Sequence, residues 1–215
     1  MSKLSSKTLQ VLKNFVTINQ GLTIKPGSKL RTVSTQKNIF AEVDIPDTFD
    51  TGFSIYDLSE FLSAYNLLKD PELEFLDTHV LMTSNNNKIK YFYSNASTVV
   101  SPADKDITFP EPDVTFEFLA EDFSKVLKAS AILKCSTFEV NQNGIVVANS
   151  NAVGNNFIIE KEMQSTQKEF SYSILVENLK LISDLNYKVE VSSKGISKFS
   201  SEDYGIQYFI AINAK

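Results

Sequence analysis

His79 is the only histidine in the 215-residue chain and Cys135 the only cysteine. Nucleophilic catalysis needs a nucleophile, a base and a group that orients the base. His79 opens the apolar run "HVLMTS" with only Asp77 nearby, so it reads as a strand residue rather than a base or a ligand. Cys135 falls where a helix pattern gives way to a strand pattern, with no histidine near it in sequence. It reads as a buried, inert thiol. The carboxylates of "ADKD" (103–106) and "EDF" (121–123) could contact Mg²⁺, but nothing else in the sequence completes an octahedral site. "NQNG" and "NAVGNN" lack the glycine spacing and lysine of a phosphate-binding loop and read as turns. The expectation is a protein without catalytic residues, metal or cofactor.

Lysine carries the stronger signal. The chain has a net charge of −5, with 20 lysines and one arginine. Residues 1–41 contain seven basic residues and no acid, while the other 174 residues contain 14 basic and 26 acidic residues, a net of −12. The stretch "SSKTLQVLKNFVTINQG" (5–21) fits a helix over about 6–19. Leu9, Leu12, Phe15 and Val16 share one arc with Thr8; Lys7, Gln10, Lys13, Asn14 and Thr17 fill the other. Ser5 or Ser6 can cap its start and Gly21 can close its end. Lys3 and Lys7 lie at the helix N-terminus, where the backbone dipole favours acids and disfavours cations. Stability alone does not explain that choice; a need for positive potential does. In "AEDFSKVLKAS" (120–130), Lys125 and Lys128 oppose Leu119, Phe123, Val126 and Leu127. Lys180 adds a charge on a later helix. Faces of this kind suit a polyanion, with nucleic acid the natural candidate.

The elements that position these lysines come in two copies. "VLK" occurs at 11–13 and 126–128, "FS" at 53–54 and 170–171, and "IKYF" at 89–92 is matched by "IQYF" at 206–209. The spacing predicts tandem domains over 1–105 and 112–215. The stretch "SPADKDITFPEPD" (101–113), holding three of the six prolines, joins them, and residues 106–111 are the connector proper. Each copy starts with a helix (6–19; 121–133) and continues with alternating strands such as "NIFAEVDI" (38–45) and "STFEV" with "GIVVANS" (136–150). A second helix is predicted over 56–67 and over 175–184. Closing strands follow, "HVLMTS" with "KIKYFYS" and "YKVEVSS" with "GIQYFIAI". "KIKYFYS" mixes lysine with aromatics as single-strand binders do, but its match "GIQYFIAI" drops the lysines, which favours a core strand. The fold class is α+β, with antiparallel sheets covered on one face by helices.

With these pieces in place the chain resembles a known family, the sliding clamps of large tailed phages. The residues that carry the resemblance are "LKNFVTINQG" (12–21), "IYDLSEFL" (55–62), "ASTVVSP" (96–102), "ITFP" (107–110) and "AEDFSKVLKAS" (120–130). The resemblance implies a DNA-clamp fold of two similar domains, each with antiparallel sheets and two helices, in plan similar to the proliferating-cell nuclear antigen. It implies a homotrimeric ring around duplex DNA that holds the replicative DNA polymerase, opened and closed by an ATP-driven clamp loader. Lys3, Lys7, Lys13, Lys125, Lys128 and Lys180 would then face DNA. A groove for partner peptides would lie near the connector, by Val99, Val100, Ile107 and Phe109. The setting would be the cytoplasm of the infected bacterial host, with no membrane partner: no apolar run approaches the ~18–20 residues of a span. The alternatives are a single-stranded nucleic-acid binding module using "KIKYFY", and a structural ring protein of a virion.

Overall fold

The computed structural model describes residues 3–149 and 154–214 and divides into two compact units, Met1–Asp104 and Lys105–Lys215. Part of "NAVGNN" therefore lies outside the described residues.

Unit 1 begins with α1 (Ser6–Ile18), followed by β1 (Leu22–Ile24), β2 (Gly27–Val33), β3 (Ile39–Phe49) and β4 (Phe53–Ile55). Next come α2 (Leu58–Leu67), β5 (Glu72–Phe75), β6 (His79–Ser84) and β7 (Asn87–Phe92). β1 pairs with β4, β2 with β3, and β5-β6-β7 form a meander, all antiparallel. α1 packs on β3 and α2. This two-sided contact rotates its buried arc: Thr8, Val11, Leu12, Phe15 and Ile18 are buried, whereas Leu9 and Val16, predicted in the core, are half-exposed. Phe49, Phe53, Phe75 and Tyr93 form an aromatic cluster with ring centroids 4.7–5.7 Å apart.

Ser5 is the N-cap of α1, its Oγ accepting from Thr8 N at 3.1 Å. The predicted stop at Gly21 is a correction, because the helix ends one residue earlier than a glycine cap there needs. Asn19 is extended, and its side chain accepts from Gly21 N and donates to the carbonyls of Val33 and Val100. Gly21 serves close approach instead: a Cβ there would meet Val99 Cγ1 at 3.0 Å and the Ile55 carbonyl at 3.2 Å.

Unit 2 runs β8 (Val114–Phe118), α3 (Ala120–Leu133), β9 (Thr137–Asn141), β10 (Gly144–Ala148), β11 (Phe157–Glu160) and β12 (Gln164–Ser165). It continues with β13 (Ser171–Leu175), β14 (Tyr187–Ser192), β15 (Ile196–Ser201), β16 (Ile206–Ala211) and β17 (Asn213–Ala214). One sheet has the order β11-β10-β9-β13-β17, and β12-β8-β14-β15-β16 are paired in that sequence. Phe118 sits at the centre of its core, within 5.5–6.5 Å of Phe116, Phe123, Phe138 and Phe199.

Two expectations for unit 2 are corrected. No α-helix spans 175–184: β13 extends to Leu175, one 3₁₀ turn follows at Val176–Asn178, and the rest is irregular. Leu179, Leu181 and Ile182 are buried, a spacing that no single helical face provides. Tyr187 Oη donates to the Ile182 carbonyl at 2.8 Å, replacing a helical partner. Second, "YKVEVSS" and "GIQYFIAI" are not neighbours, because β15 lies between them and pairs with both. Its sequence "ISKFSS" hides the strand, since the polar residues Ser197 and Ser200, on opposite faces of it, are both buried. The repeat unit is thus a full meander, β5-β6-β7 in one copy and β14-β15-β16 in the other.

The NQNG turn is the β9–β10 hairpin, with Gly144 at φ +131°. "KIKYFYS" is also corrected. β7 is an edge strand among the described residues, with Lys88, Lys90 and Phe92 exposed and Ile89 and Tyr91 half-buried.

Candidate nucleic-acid interface

α1 and α3 present most of the predicted lysines. On α1, Lys13 is exposed and Lys7 half-buried at the margin of the polar side; no acid stands in the first turn. On α3, Lys125 and Lys128 are both exposed, one turn apart. Lys13 and Lys128 occupy the same position of the repeat, directly after "VL" in "VLK". Lys125 pairs with Glu121 at 3.5 Å across one turn, an exposed contact that salt screens readily.

The acids around these helices are arranged to leave that charge outward. Asp47, on β3, reaches the N-terminus of α1 and accepts from Ser5 N at 3.1 Å, from Ser5 Oγ at 2.6 Å and from Thr8 Oγ1. The sheet thus supplies the carboxylate that the helix dipole favours, and α1 itself can stay free of acids. On α3, Asp122 is 4 % exposed. It pairs with Lys161 at 2.6 Å, whose ammonium also donates to the Glu117 carbonyl at 2.6 Å. Asp122 is therefore neutralised inside unit 2, leaving Glu121, Lys125 and Lys128 as the charges on the exposed side. The Asp47 cap and the Lys161 pair both escape sequence reading, because each partner lies some 40 residues away along the chain.

Lys3 and Lys180 lie off the helices. Lys3 Nζ pairs with Asp70 at 2.7 Å, and Asp70 also accepts from Tyr65 Oη at 2.9 Å. The hydrogen bond to Asp70 holds the Lys3 ammonium above its ordinary pKa, and the same bond lowers that of Asp70. Lys180 is half-buried just past the 3₁₀ turn, since the helix predicted to carry it does not form.

The predicted groove residues divide between the units. Val99 is 8 % exposed and packs inside unit 1 against Gly21; Val100 is 40 % exposed. Ile107 and Phe109 are half-buried in unit 2, where Phe109 lies 6.3 Å from Phe209 with Lys198 Nζ 5.8 Å over its ring. Unit 1 has a groove of ≈ 190 Å³ walled by Thr23, Pro26, Arg31, Ser101 and Pro102, and Lys25 and Asp104 form an ion pair at it.

The remaining chemistry-bearing residues are held in local contacts. His79 Nδ1 lies 3.1 Å from Thr78 Oγ1 and its ring stands 5.4 Å from that of Phe92. Cys135 is buried, its thiol donating to the Asn155 carbonyl at 3.3 Å. Among the described residues no three histidine, cysteine or acidic side chains converge as a metal site, and no helix is long and apolar enough to cross a membrane. Exposed ammonium groups on two helices can contact phosphates without reading bases.

Comparison with known proteins gives the family of the chain. Residues 3–101 match the family described as DNA polymerase processivity factor, and residues 115–214 match the C-terminal domain of the gp45 sliding clamp. The sliding clamp of Vibrio phage KVP40 is 35 % identical, with 99 % of each chain covered. That of Enterobacteria phage T4 is 30 % identical, over 99 % of this chain and 97 % of that one. Among solved structures, the proliferating-cell nuclear antigen of Thermococcus kodakaraensis superposes with a TM-score of 0.70 at 12 % identity, 98 % of each chain being covered. That of A. fulgidus, bound to the C-terminal region of FEN-1, superposes at 0.71 and 14 % identity, over 99 % of this chain and 98 % of that one.

Proposed function

The chain belongs to the sliding-clamp family of phage DNA polymerase processivity factors, and from that premise we propose that three copies close into a ring around duplex DNA. Its two clamp domains span 1–105 and 112–215, joined by the connector 106–111. The ring tethers the replicative polymerase by topology, without chemistry of its own, and an ATP-driven loader opens it in the cytoplasm of the infected host.

One observation carries this reading. An acidic chain keeps every acid off α1, and it repeats a lysine at the same outward position in both units, Lys13 and Lys128. Duplex DNA presents one charge per ~1.7 Å of axis, so lysines on a surrounding wall gain affinity anywhere along it. Flexible ammonium groups suit sliding because they neutralise phosphate without fixing a register. The acidic remainder of the surface limits adhesion elsewhere. Lys13, Lys125 and Lys128 are the principal DNA-facing residues. Lys7 contributes from the margin, and Lys3 and Lys180 contribute less, since one is held by Asp70 and the other is half-buried.

Partner peptides dock on unit 1 beside the start of the connector, where Val100 is exposed and Ser101 and Pro102 wall the groove.

Light scattering over a concentration series tests the ring: a 24.1 kDa subunit gives about 72 kDa for a closed three-fold assembly. Replacing Lys13 and Lys128 by alanine then lowers clamp-dependent processivity by the same factor on templates of different sequence. A monomer at all concentrations, or a loss that depends on template sequence, contradicts the reading.

A further inference from the structure

The seven basic residues of the acid-free stretch 1–41 fall into two groups. Lys3 precedes α1, and Lys7 and Lys13 stand on it. Lys25, Lys29, Arg31 and Lys37 come later, and the first three of these wall the ≈ 190 Å³ groove of unit 1. Arg31 is the only arginine of the chain. The DNA-facing role proposed for α1 reaches the first group only. The groove also has two hydroxyls, with Ser101 Oγ donating to Thr23 Oγ1 at 2.7 Å, and an apolar part formed by Pro26, Pro102 and Ala103. Cations and hydroxyls beside an apolar wall suit an anionic group with an apolar neighbour.

Each of the three cations already faces an acid, but the acids are held differently. Arg31 and Glu42 stand opposite each other on β2 and β3, 3.2 Å apart, with side chains 22 % and 16 % exposed. Lys29 and Asp44 are the next-but-one pair of the same ladder, 3.7 Å apart. The sheet fixes both of those acids. Lys25 contacts Asp104, which lies on the irregular start of the connector with its side chain 80 % exposed. No ladder holds Asp104, so its carboxylate is the one that a competitor can replace. An exposed pair of this kind adds little to stability. Beside a groove it has another consequence: the chain's own carboxylate stands where an incoming one would bind.

Resting on the docking of partner peptides beside the connector, we propose that Asp104 is an internal competitor for this groove. It holds Lys25 in the free protein. A partner peptide docks by setting an aspartate or glutamate side chain in place of Asp104, while an apolar neighbour lies along Pro26 and Pro102. Lys29 and Arg31 keep Asp44 and Glu42 and supply positive potential without changing partner. Because one ion pair is exchanged for another, the contact selects among peptides more than it adds affinity. A peptide without an acid leaves Asp104 on Lys25 and forgoes the contact.

The test titrates the purified clamp with the replicative polymerase of the same phage in a calorimeter. Asp104→Asn removes the competitor and tightens binding about two- to fivefold, the range of an exposed ion pair. In a Lys25→Ala background the same substitution has no effect, because no cation is left to compete for. A gain that persists without Lys25 reports a looser connector and overturns the proposal. Ser101→Trp, at an exposed position, fills the groove and separates the competition from the docking reading. Polymerase binding unchanged by Ser101→Trp overturns both. Binding lost in Ser101→Trp, with Asp104→Asn behaving as wild type, overturns the competition alone. Tighter binding of Asp104→Asn to duplex DNA, with polymerase binding unchanged, assigns the groove to phosphate and overturns the competition as well.

Discussion

α1 and α3 hold the same place in the two copies of the repeat, yet their surroundings differ. α1 packs against a second helix, α2, and buries Leu12 to 1 % exposure; at the matching position of α3, Leu127 is 38 % exposed. Unit 2 has a 3₁₀ turn where α2 would stand, so α3 leaves Leu127 and, nearer its end, Ile132 uncovered. Their N-termini differ in the same spirit. Position 7 is lysine in unit 1, with the carboxylate brought by Asp47 from β3. The matching residue of unit 2 is Asp122, and there the sheet side brings the lysine, Lys161. Duplication preserved the site at the helix start but exchanged which element supplies each charge. Among the charged positions of these two helices only Lys13/Lys128 keeps its residue type, as an outward phosphate contact in both units would require.

The largest effect that can break this comparison is at the matched leucines. Leu12→Ala opens a cavity in a filled core and costs about 3–4 kcal/mol of unfolding free energy. Leu127→Ala costs about 1 kcal/mol or less, because its side chain is already partly in water. Urea denaturation followed by circular dichroism compares the two; equal losses would mean that α3 is covered as well as α1.

Next are the exchanged charges. Asp122→Ala strands the Lys161 ammonium in a site only 18 % exposed and costs about 2–3 kcal/mol, less than a fully buried pair because water still reaches the lysine. Replacing Lys161 by methionine in the same background recovers part of that loss, which separates the stranded charge from lost packing. Asp47→Ala removes three hydrogen bonds from the start of α1 and costs about 1–2 kcal/mol, the range of a lost helix cap. A larger loss for Asp47→Ala than for Asp122→Ala would reverse the ranking of buried ion pair over cap.

The smallest effect is on pH. The Ser193 backbone N–H, 2.6 Å from Asp113, is the main cause of a lowered Asp113 pKa in unit 2. The Glu60 backbone N–H does the same for Asp57, the N-cap of α2. A depressed carboxylate stabilises fully above its unfolded pKa and loses that contribution as pH falls through the folded value. Asp113→Asn and Asp57→Asn should each lower stability at neutral pH, where the carboxylate's contribution is full, and flatten the acid limb below about pH 4, where variant and wild type converge. An unchanged acid limb in both would show that neither hydrogen bond discriminates the ionised form.

Much of this molecule can be read in its sequence because the information is local or periodic. The tandem duplication, α1, α2 and α3, the hairpin at NQNG and the lysine side of α1 and α3 all follow from spacing that the chain must satisfy within a few residues. β15 escaped because its buried serines break the usual alternation of apolar and polar residues. The helix expected over 175–184 was overruled by tertiary contacts that bury Leu179, Leu181 and Ile182 from an irregular backbone.

What only the tertiary structure decided is pairing across long separations. Nothing in the order of residues ties Asp47 to Ser5, Lys161 to Asp122 or Lys3 to Asp70. Nor does local pattern tell that "IKYF" stays at an open edge while "IQYF" is covered. Charge and periodicity are properties of neighbouring residues, so one chain read end to end determines them. Hydrogen bonds, ion pairs and edge exposure depend on which distant segments the fold brings within a few ångströms, and that follows from the packing of the whole unit.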